Sequence, residues 1–371
     1  MSNLYIGLIS GTSVDAIDAA LVRFDDERLE LIGTHAHPWE AKLRQRLNAL
    51  IESPAPAWQE LGSLHIETGR AFAAATRALL EQCGVDAHEV AAIGHHGQTV
   101  HHAPDGPAPF TIQIGDPNTV AAITGITTVA DLRGFDMAVG GQGAPLVPIF
   151  HDQLLRSADE HRVVVNIGGI ANITTLTHDE PIKGCDTGPG NTLIDAWIQR
   201  HKGERFDARG QWAAAGAINA KLLDEMLLEP WFALPAPKST GRELFNPEWL
   251  NTRLARAETQ LSPVDVQATL AELTAATIAR HISSLAPQCQ RVIVCGGGAF
   301  NDHLMARLAE HCGVPTESSQ LHGIAPEWVE ALAFAWLASA RLLDLPGNVP
   351  SVTGAHEPVI LGSIYSGNRK Q

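Results

Sequence analysis

Three short loops in this 371-residue chain are made of side chains too small to keep a ligand away: Ser10-Gly11-Thr12-Ser13, Asn166-Ile167-Gly168-Gly169 and Gly296-Gly297-Gly298. Such turns present backbone N–H groups to an anion that must approach closely, and the first adds three hydroxyls. Asp15 and Asp18 follow the first turn, and their hard oxygens are of the donor type Mg²⁺ takes. Three adjacent glycines cost conformational entropy on folding, and close approach of a flat base and ribose would account for Gly296, Gly297 and Gly298. The same residues also read as a hairpin turn with solvated aspartates, a Gly-Gly hairpin and a tight strand-to-helix junction. Spread along the chain, the three sites fit a nucleotide held in a cleft between two lobes.

Asp186-Thr187-Gly188-Pro189-Gly190-Asn191 reads as a loop with a carboxylate fixed by a rigid turn. Activation of a water or hydroxyl needs such a base within hydrogen-bond reach, although an Asx-turn or a cap for the following helix needs the same residues. His95, His96, His101 and His102 lie close together, but no Cys or carboxylate stands at ligand spacing. Neighbours on a strand face opposite ways, so zinc is not expected, and a hydrogen bond from His96 to a substrate is. Lys238-Ser239-Thr240-Gly241-Arg242-Glu243 is a polar loop that suits either an anionic substrate or plain solvent. The chain has no GxxxxGK[ST], no GxGxxG after a strand, no HExxH and no GxSxG, which sets aside the common nucleotide-loop, dinucleotide, metalloprotease and α/β-hydrolase readings.

The elements that must position these residues alternate between strand and helix. Strands are expected at 4–9 and 17–24, 90–94, 127–131, 163–167, 171–176 and 291–295. Helices are expected within 39–83 and at 119–124, 192–200, 262–284, 301–311 and 327–342. This is an α/β pattern with partly parallel sheets, in which strand, small-residue turn and strand occur near 4–24 and again near 163–176. The split is expected near residue 128, giving a first lobe of 1–128 plus about 346–371 and a second of 129–345. Hydrophobic residues make up 45% and charged residues 18%, enough apolar material for a sizeable core. A formal charge of -15 argues against nucleic acid or an anionic membrane as a partner. No apolar run of membrane-spanning length appears, the N-terminus reads as a strand, and five cysteines without a CxxC pair suit a reducing cytoplasm.

Taken together, SGTSVDAID (10–18), GHHGQTVHH (94–102), QIGDP (113–117), GGQGAPLVP (140–148), VNIGGIANIT (165–174), DTGPGN (186–191), PKSTGRELFN (237–246), VCGGGAFN (294–301) and VPSVTGAHEP (349–358) resemble the anhydro-N-acetylmuramic acid kinase family of bacterial cell-wall recycling. The resemblance implies a two-lobed actin-like ATPase, with a ribonuclease H-like fold and with nucleotide and sugar in the cleft between lobes. It implies a small amino sugar as substrate, ATP and Mg²⁺ as cofactors, a cytoplasmic location and a homodimer. Water would open the 1,6-anhydro ring and the freed O6 would take the phosphoryl group, giving N-acetylmuramic acid 6-phosphate. On this basis Asp186 is the catalytic base and Glu330, at a helix start, a second carboxylate near the sugar. The nucleotide would lie on Gly11, Thr12, Ser13, Val14, Asp15, Ala16, Ile17 and Asp18, on Asn166, Gly168 and Gly169, and on Gly296, Gly297 and Gly298, with Asp15 and Asp18 toward the metal. His96, Thr99, Arg133 and Gln142 would hold the sugar, since an anionic lactyl group suits an arginine. The chain departs from the family pattern at Val14-Asp15-Ala16, where Met-Asp-Gly is usual, and at Phe206-Asp207-Ala208-Arg209-Gly210 and Phe300. An ordinary hexose kinase and an Hsp70-like ATP-driven binding protein are the competing readings.

Overall fold

The computed structural model describes all residues except 1–2, 12–13, 26–27, 54, 179, 258–260 and 368–371. The chain divides into two compact units, Met1–Phe150 with Trp328–Gln371 and His151–Glu327. The first unit contains strands β1 (Leu4–Ser10), β2 (Ala16–Asp25), β3 (Arg28–Pro38), β4 (Val90–Ala103), β5 (Phe110–Ile114) and β6 (Thr128–Ala130). The second contains β7 (Arg162–Ile167), β8 (Ile170–Leu176), β9 (Lys183–Pro189), β10 (Arg291–Cys295) and β11 (Thr316–Ser318), and β12 (Ser363–Tyr365) returns to the first.

In the first sheet the order is β12-β6-β4-β1-β2-β3, with β5 paired to β4. In the second it is β11-β10-β7-β8-β9. Each has a three-stranded antiparallel meander, β1-β2-β3 and β7-β8-β9, whose first strand also pairs in parallel with a later one, β4 or β10. This is the ribonuclease H-like topology, and its duplication in one chain is the actin-like ATPase fold. Among the described residues no helix is long and apolar enough to cross a membrane.

Side-chain alternation on β1 explains why that strand is buried on both faces. Leu4, Ile6 and Leu8 pack with Leu43, Leu47, Leu64 and Phe72 of the helices Ala41–Glu52 and Trp58–Cys83. Gly7 points the other way, toward the helix Val329–Leu342, and is in register with Gly94 of β4. A Cβ on Gly7 would sit on the Ala331 carbonyl oxygen, and one on Gly94 on the Phe334 carbonyl oxygen. Two paired glycines thus make a groove in which the helix backbone lies directly on the sheet. In the second unit Val163, Val165 and Ile167 of β7 pack with Ala275, Ile278 and Ile282 of the helix Pro263–Leu285.

Four expectations change. The division falls after Phe150 and before Trp328, not near 128 and 346. The reasons are physical: β6 pairs with β4, the glycine groove claims the helix Val329–Leu342, and Asp136 bonds to Asn348 and Thr353. Residues 183–189 form a strand, β9, so Asp186 stands in a sheet and not in a loop. The strand expected at 90–94 runs on through the histidines to Ala103. Strands β3 and β5 carry no clean apolar alternation and were not expected from the pattern.

The groove sets a stability test. Gly94→Ala is expected to destabilise the protein by about 3 kcal/mol through overpacking. Gly62→Ala, in the helix Trp58–Cys83 where an added Cβ meets nothing, is expected to stabilise by about 0.5–1 kcal/mol. Urea unfolding of both variants checks the contrast.

Candidate functional site

Within the second unit, Asn166, Asn172 and Asp186 stand directly opposite one another across β7, β8 and β9. Directly paired residues share a sheet face, so the two amides and the carboxylate form one row. Asp186 Oδ2 accepts from the Thr240 N–H at 2.9 Å, and its own N–H donates to Lys238 O at 3.0 Å. Burial pushes the Asp186 carboxyl up to about 7, the Thr240 bond and Lys238 oppose that shift, and Glu243 adds to it. The Lys238 ammonium is buried, donates to the carbonyls of Trp231 (3.2 Å) and Phe232 (3.1 Å), and lies 4.2 Å from the Trp231 ring. Asp186 is therefore a carboxylate that can both hold and release a proton near neutrality.

The small-residue loops of this unit meet. The N–H groups of Gly190 and Thr192 donate to Gly169 O at 2.9 and 3.1 Å, and the Asn191 N–H donates to Gly168 O at 2.8 Å. Asn191 Nδ2 reaches Ile167 O at 3.2 Å. Gly296 has φ +78°, and a Cβ there would press on Asn166 Oδ1 and on Ile167 O. A Cβ on Gly298 would strike the Ile167 side chain, so packing alone demands both of these glycines. Gly297 differs, since its nearest atom would be Asn191 Nδ2 at 3.7 Å. Gly168 is equally open, with only Ile170 O at 3.6 Å.

Within the first unit, two of the residues singled out by resemblance, Arg133 and His96, are in direct contact. Arg133 donates from Nε to His96 Nε2 at 3.0 Å and from Nη1 to Gly143 O at 2.6 Å. His96 Nδ1 lies 2.8 Å from Gly97 O, and the ring packs on Phe334 at 4.7 Å. The acceptor role of Nε2 assigns the proton to Nδ1. Burial, and then Arg133, hold His96 well below the usual histidine range, so it is neutral. Burial lowers Arg133 to about 10, against the pull of Glu330 and Asp136, and it stays charged. Thr99 lies on the same strand, its Oγ1 accepting from Gln113 Nε2 at 3.2 Å. Gln142 is held by its backbone, whose N–H donates to Thr353 O at 2.8 Å.

At the turn after β1, Thr12 and Ser13 lie outside the described residues. Gly11 O accepts from the Val14 N–H at 3.1 Å and from Gln98 Nε2 at 3.3 Å. Val14 takes the left-handed φ of +52°, and its side chain is buried with that of Ile17, so only backbone is open to a ligand at these two positions. Asp15 pairs with Arg44 at 2.9 Å, whereas Asp18 lies within β2 opposite Ile9, and Ala16 opens that strand. His95 bonds to Gly115 O at 2.7 Å and is lowered to about 4 by burial, which makes it a support of the Gly115-Asp116-Pro117 corner.

Several residues with positional roles escaped the sequence reading. Asp136 is fully buried and accepts from the Gly143 N–H (2.8 Å), Asn348 Nδ2 (2.7 Å) and Thr353 Oγ1 (2.7 Å). It ties the 140–143 loop, which Arg133 also grips, to the segment 348–353. Thr240 and Asn172 lie in segments the sequence singles out, but their roles beside Asp186 come from a backbone donor and a cross-strand register, which leave no mark in a motif.

A family model described as anhydro-N-acetylmuramic acid kinase matches residues 3–367. The chain is 50% identical over 369 residues to the anhydro-N-acetylmuramic acid kinase of Coxiella burnetii (strain Dugway 5J108-111), covering 98% of each chain. It is 51% identical over 369 residues to that of Xanthomonas campestris pv. campestris (strain 8004), covering 98% of this chain and 97% of the relative. It is 49% identical over 368 residues to that of Saccharophagus degradans, covering 98% and 99%.

The raised Asp186 carboxyl has a consequence for stability. A folded value of about 7 lies above the unfolded value of about 3.9, so the folded state binds the extra proton between them. The stabilisation is full below the unfolded value and is lost as pH rises through the folded one. Asp186→Asn, which keeps an acceptor for Thr240, is expected to match the wild type near pH 4. At pH 8 it should exceed it by roughly 2–4 kcal/mol. Denaturant midpoints across this range check the sign.

Proposed function

This chain belongs to the anhydro-N-acetylmuramic acid kinase family, and we propose how its own residues carry out the family's reaction. That reaction uses ATP and water to open the 1,6-anhydro ring of the sugar and phosphorylate O6, giving N-acetylmuramic acid 6-phosphate and ADP. The water oxygen bonds to C1 as the C1–O6 bond breaks. O6 bonds to the γ-phosphorus as its bond to the β-phosphate oxygen breaks, and ADP leaves.

Asp186 takes the proton of the water. The observation that carries this role is a carboxylate held by one N–H at 2.9 Å and pushed up to about 7, poised to accept a proton near neutrality. Arg133 meets the lactyl carboxylate, its guanidinium aimed by His96 and Gly143. Glu330, which faces Arg133 electrostatically, and Thr99 and Gln142 contact neutral groups of the sugar. The backbone around Gly11, Gly168, Gly169 and Gly297 receives the nucleotide, and at Gly168 and Gly297 an added Cβ would meet nothing closer than 3.6 Å.

Mg²⁺ belongs to this reading. Such an ion keeps most of its waters and takes one or two carboxylates beside substrate phosphates, so Asp18 and Asp15 fit its chemistry, Asp15 after exchange of its Arg44 partner. When bound, it would neutralise phosphate charge. The reading also includes a cytoplasmic location, in keeping with five free cysteines, and a homodimer.

Release of ADP should be stimulated by the anhydro sugar above N-acetylmuramic acid and glucose. Product formed in ¹⁸O-labelled water should carry the label at C1. Asp186→Asn is expected to lower kcat by about 10³-fold, and wild-type kcat/KM to fall tenfold per pH unit below about 7. Equal turnover of N-acetylmuramic acid without label, or full activity of the variant, would overturn the assignment.

A further inference from the structure

The Gly168–Gly169 turn is bracketed by two side-chain donors without a partner among the described residues. Arg242 has an exposed side chain that makes no hydrogen bond or ion pair among the described residues. Its Nη2 lies 3.8 Å from the point where a Gly169 Cβ would stand. Thr192 Oγ1 lies 2.8 Å from the same point, is buried, and has no hydrogen-bond partner among the described residues. The carbonyls of Gly168 and Gly169 are already taken by Gly190, Asn191 and Thr192, whereas their own N–H groups have no acceptor among the described residues. The Arg242 guanidinium, the Thr192 hydroxyl and the two glycine N–H groups can therefore all donate at this turn, and one of them is a permanent cation. Glu243, the adjacent anion, folds its carboxylate over Gly241 and forms no ion pair with Arg242.

We propose that Arg242 is a catalytic residue: its guanidinium, with the Thr192 hydroxyl and the two glycine N–H groups, holds the nucleotide's γ-phosphoryl group while that group passes to O6. This rests on the kinase reading above and deepens it. Charge on the phosphoryl oxygens must be met as the bond to the β-phosphate oxygen breaks and the bond to O6 forms, and a planar fork of N–H donors meets it in two places at once. Arg242 also stands two residues after Thr240, whose N–H holds Asp186. One short loop thus carries the base's anchor and the phosphate's cation, so proton removal from water and phosphoryl transfer are positioned by the same backbone. The sugar's own carboxylate has a separate arginine in Arg133, which leaves Arg242 for phosphate.

The test uses the full chain with Arg242→Ala and Arg242→Lys, whose unchanged thermal midpoints establish folding. Two readouts are compared: steady-state kinetics with the anhydro sugar, and the dissociation constants of ADP and of β,γ-methylene ATP by calorimetry. Arg242→Ala should lower kcat by at least about 10²-fold while the sugar KM moves by less than about threefold. It should also remove the wild type's preference for the triphosphate analogue over ADP, leaving ADP affinity in place. Free guanidinium ion should restore part of the rate to Arg242→Ala, and Arg242→Lys should keep part of it. The proposal falls if the sugar KM rises with kcat unchanged, which would put Arg242 on the sugar's carboxylate, or if the two dissociation constants keep their wild-type ratio. If the wild type fails to phosphorylate the anhydro sugar, the kinase reading fails, and the comparison of ADP with the analogue still decides the role of Arg242.

Discussion

A single hydrogen bond, from the Thr240 N–H to Asp186, governs whether the second unit can do proton chemistry. A carboxylate surrounded by protein is costly to ionise unless donors compensate. With two or three backbone donors its proton would be lost at very low pH, and the group would be only an anchor. With none it would stay protonated through the neutral range. Asp136 takes three donors and Asp207 takes the N–H groups of Trp212 and Ala213 with Gln267 Nε2, and both act as fixed ties between distant segments. Asp186 is set apart by how few donors it has.

That one bond depends on the sheet beneath it. Asp186 is part of β9, and the cross-strand row of Asn166, Asn172 and Asp186 exists only while β7, β8 and β9 keep their register. A slip of one residue would turn the carboxylate to the other face. The register is pinned where the chain is most apolar, by Val163, Val165, Ile167 and Ile173 against the helix Pro263–Leu285. Gly296 and Gly298 then let the next strand end close against Ile167. The position of the Asp186 carboxylate is thus fixed by packing several residues away from it.

Much of this was legible in the residues. Continuous apolar runs such as RVVVNI and RVIVC mark buried strands, and the two strand-turn-strand segments mark the two similar halves. The nine motifs name the family, and with it the reaction, and they mark Asp186 as the residue proposed for the base. Other features lie beyond any local pattern. The helix Val329–Leu342 joins the first unit because Gly7 and Gly94 form a groove, and a glycine in a strand does not announce what will lie on it. Asp136 meets Asn348 and Thr353 from far along the sequence, a contact without periodicity. Asp15 was read as a metal ligand from its neighbours alone, whereas its Arg44 partner comes from a helix that the turn itself does not predict.

The pairing of Arg133 with His96 shows why a histidine and not a carboxylate aims this guanidinium. An aspartate at position 96 would accept the same bond from Nε, but it would add a negative charge in direct contact with the guanidinium, against the anionic group that the proposed assignment places there. A neutral imidazole supplies the lone pair and no charge. Burial and Arg133 keep the ring neutral against the Gly97 carbonyl, which as acceptor for Nδ1–H sets the tautomer, and Phe334 fixes its plane. Glu330 and Asp136 hold Arg133 charged against the burial that lowers it to about 10, so the cation persists at every pH near neutrality. Orientation and charge come from different partners, which lets the site fix the geometry of the guanidinium without neutralising it.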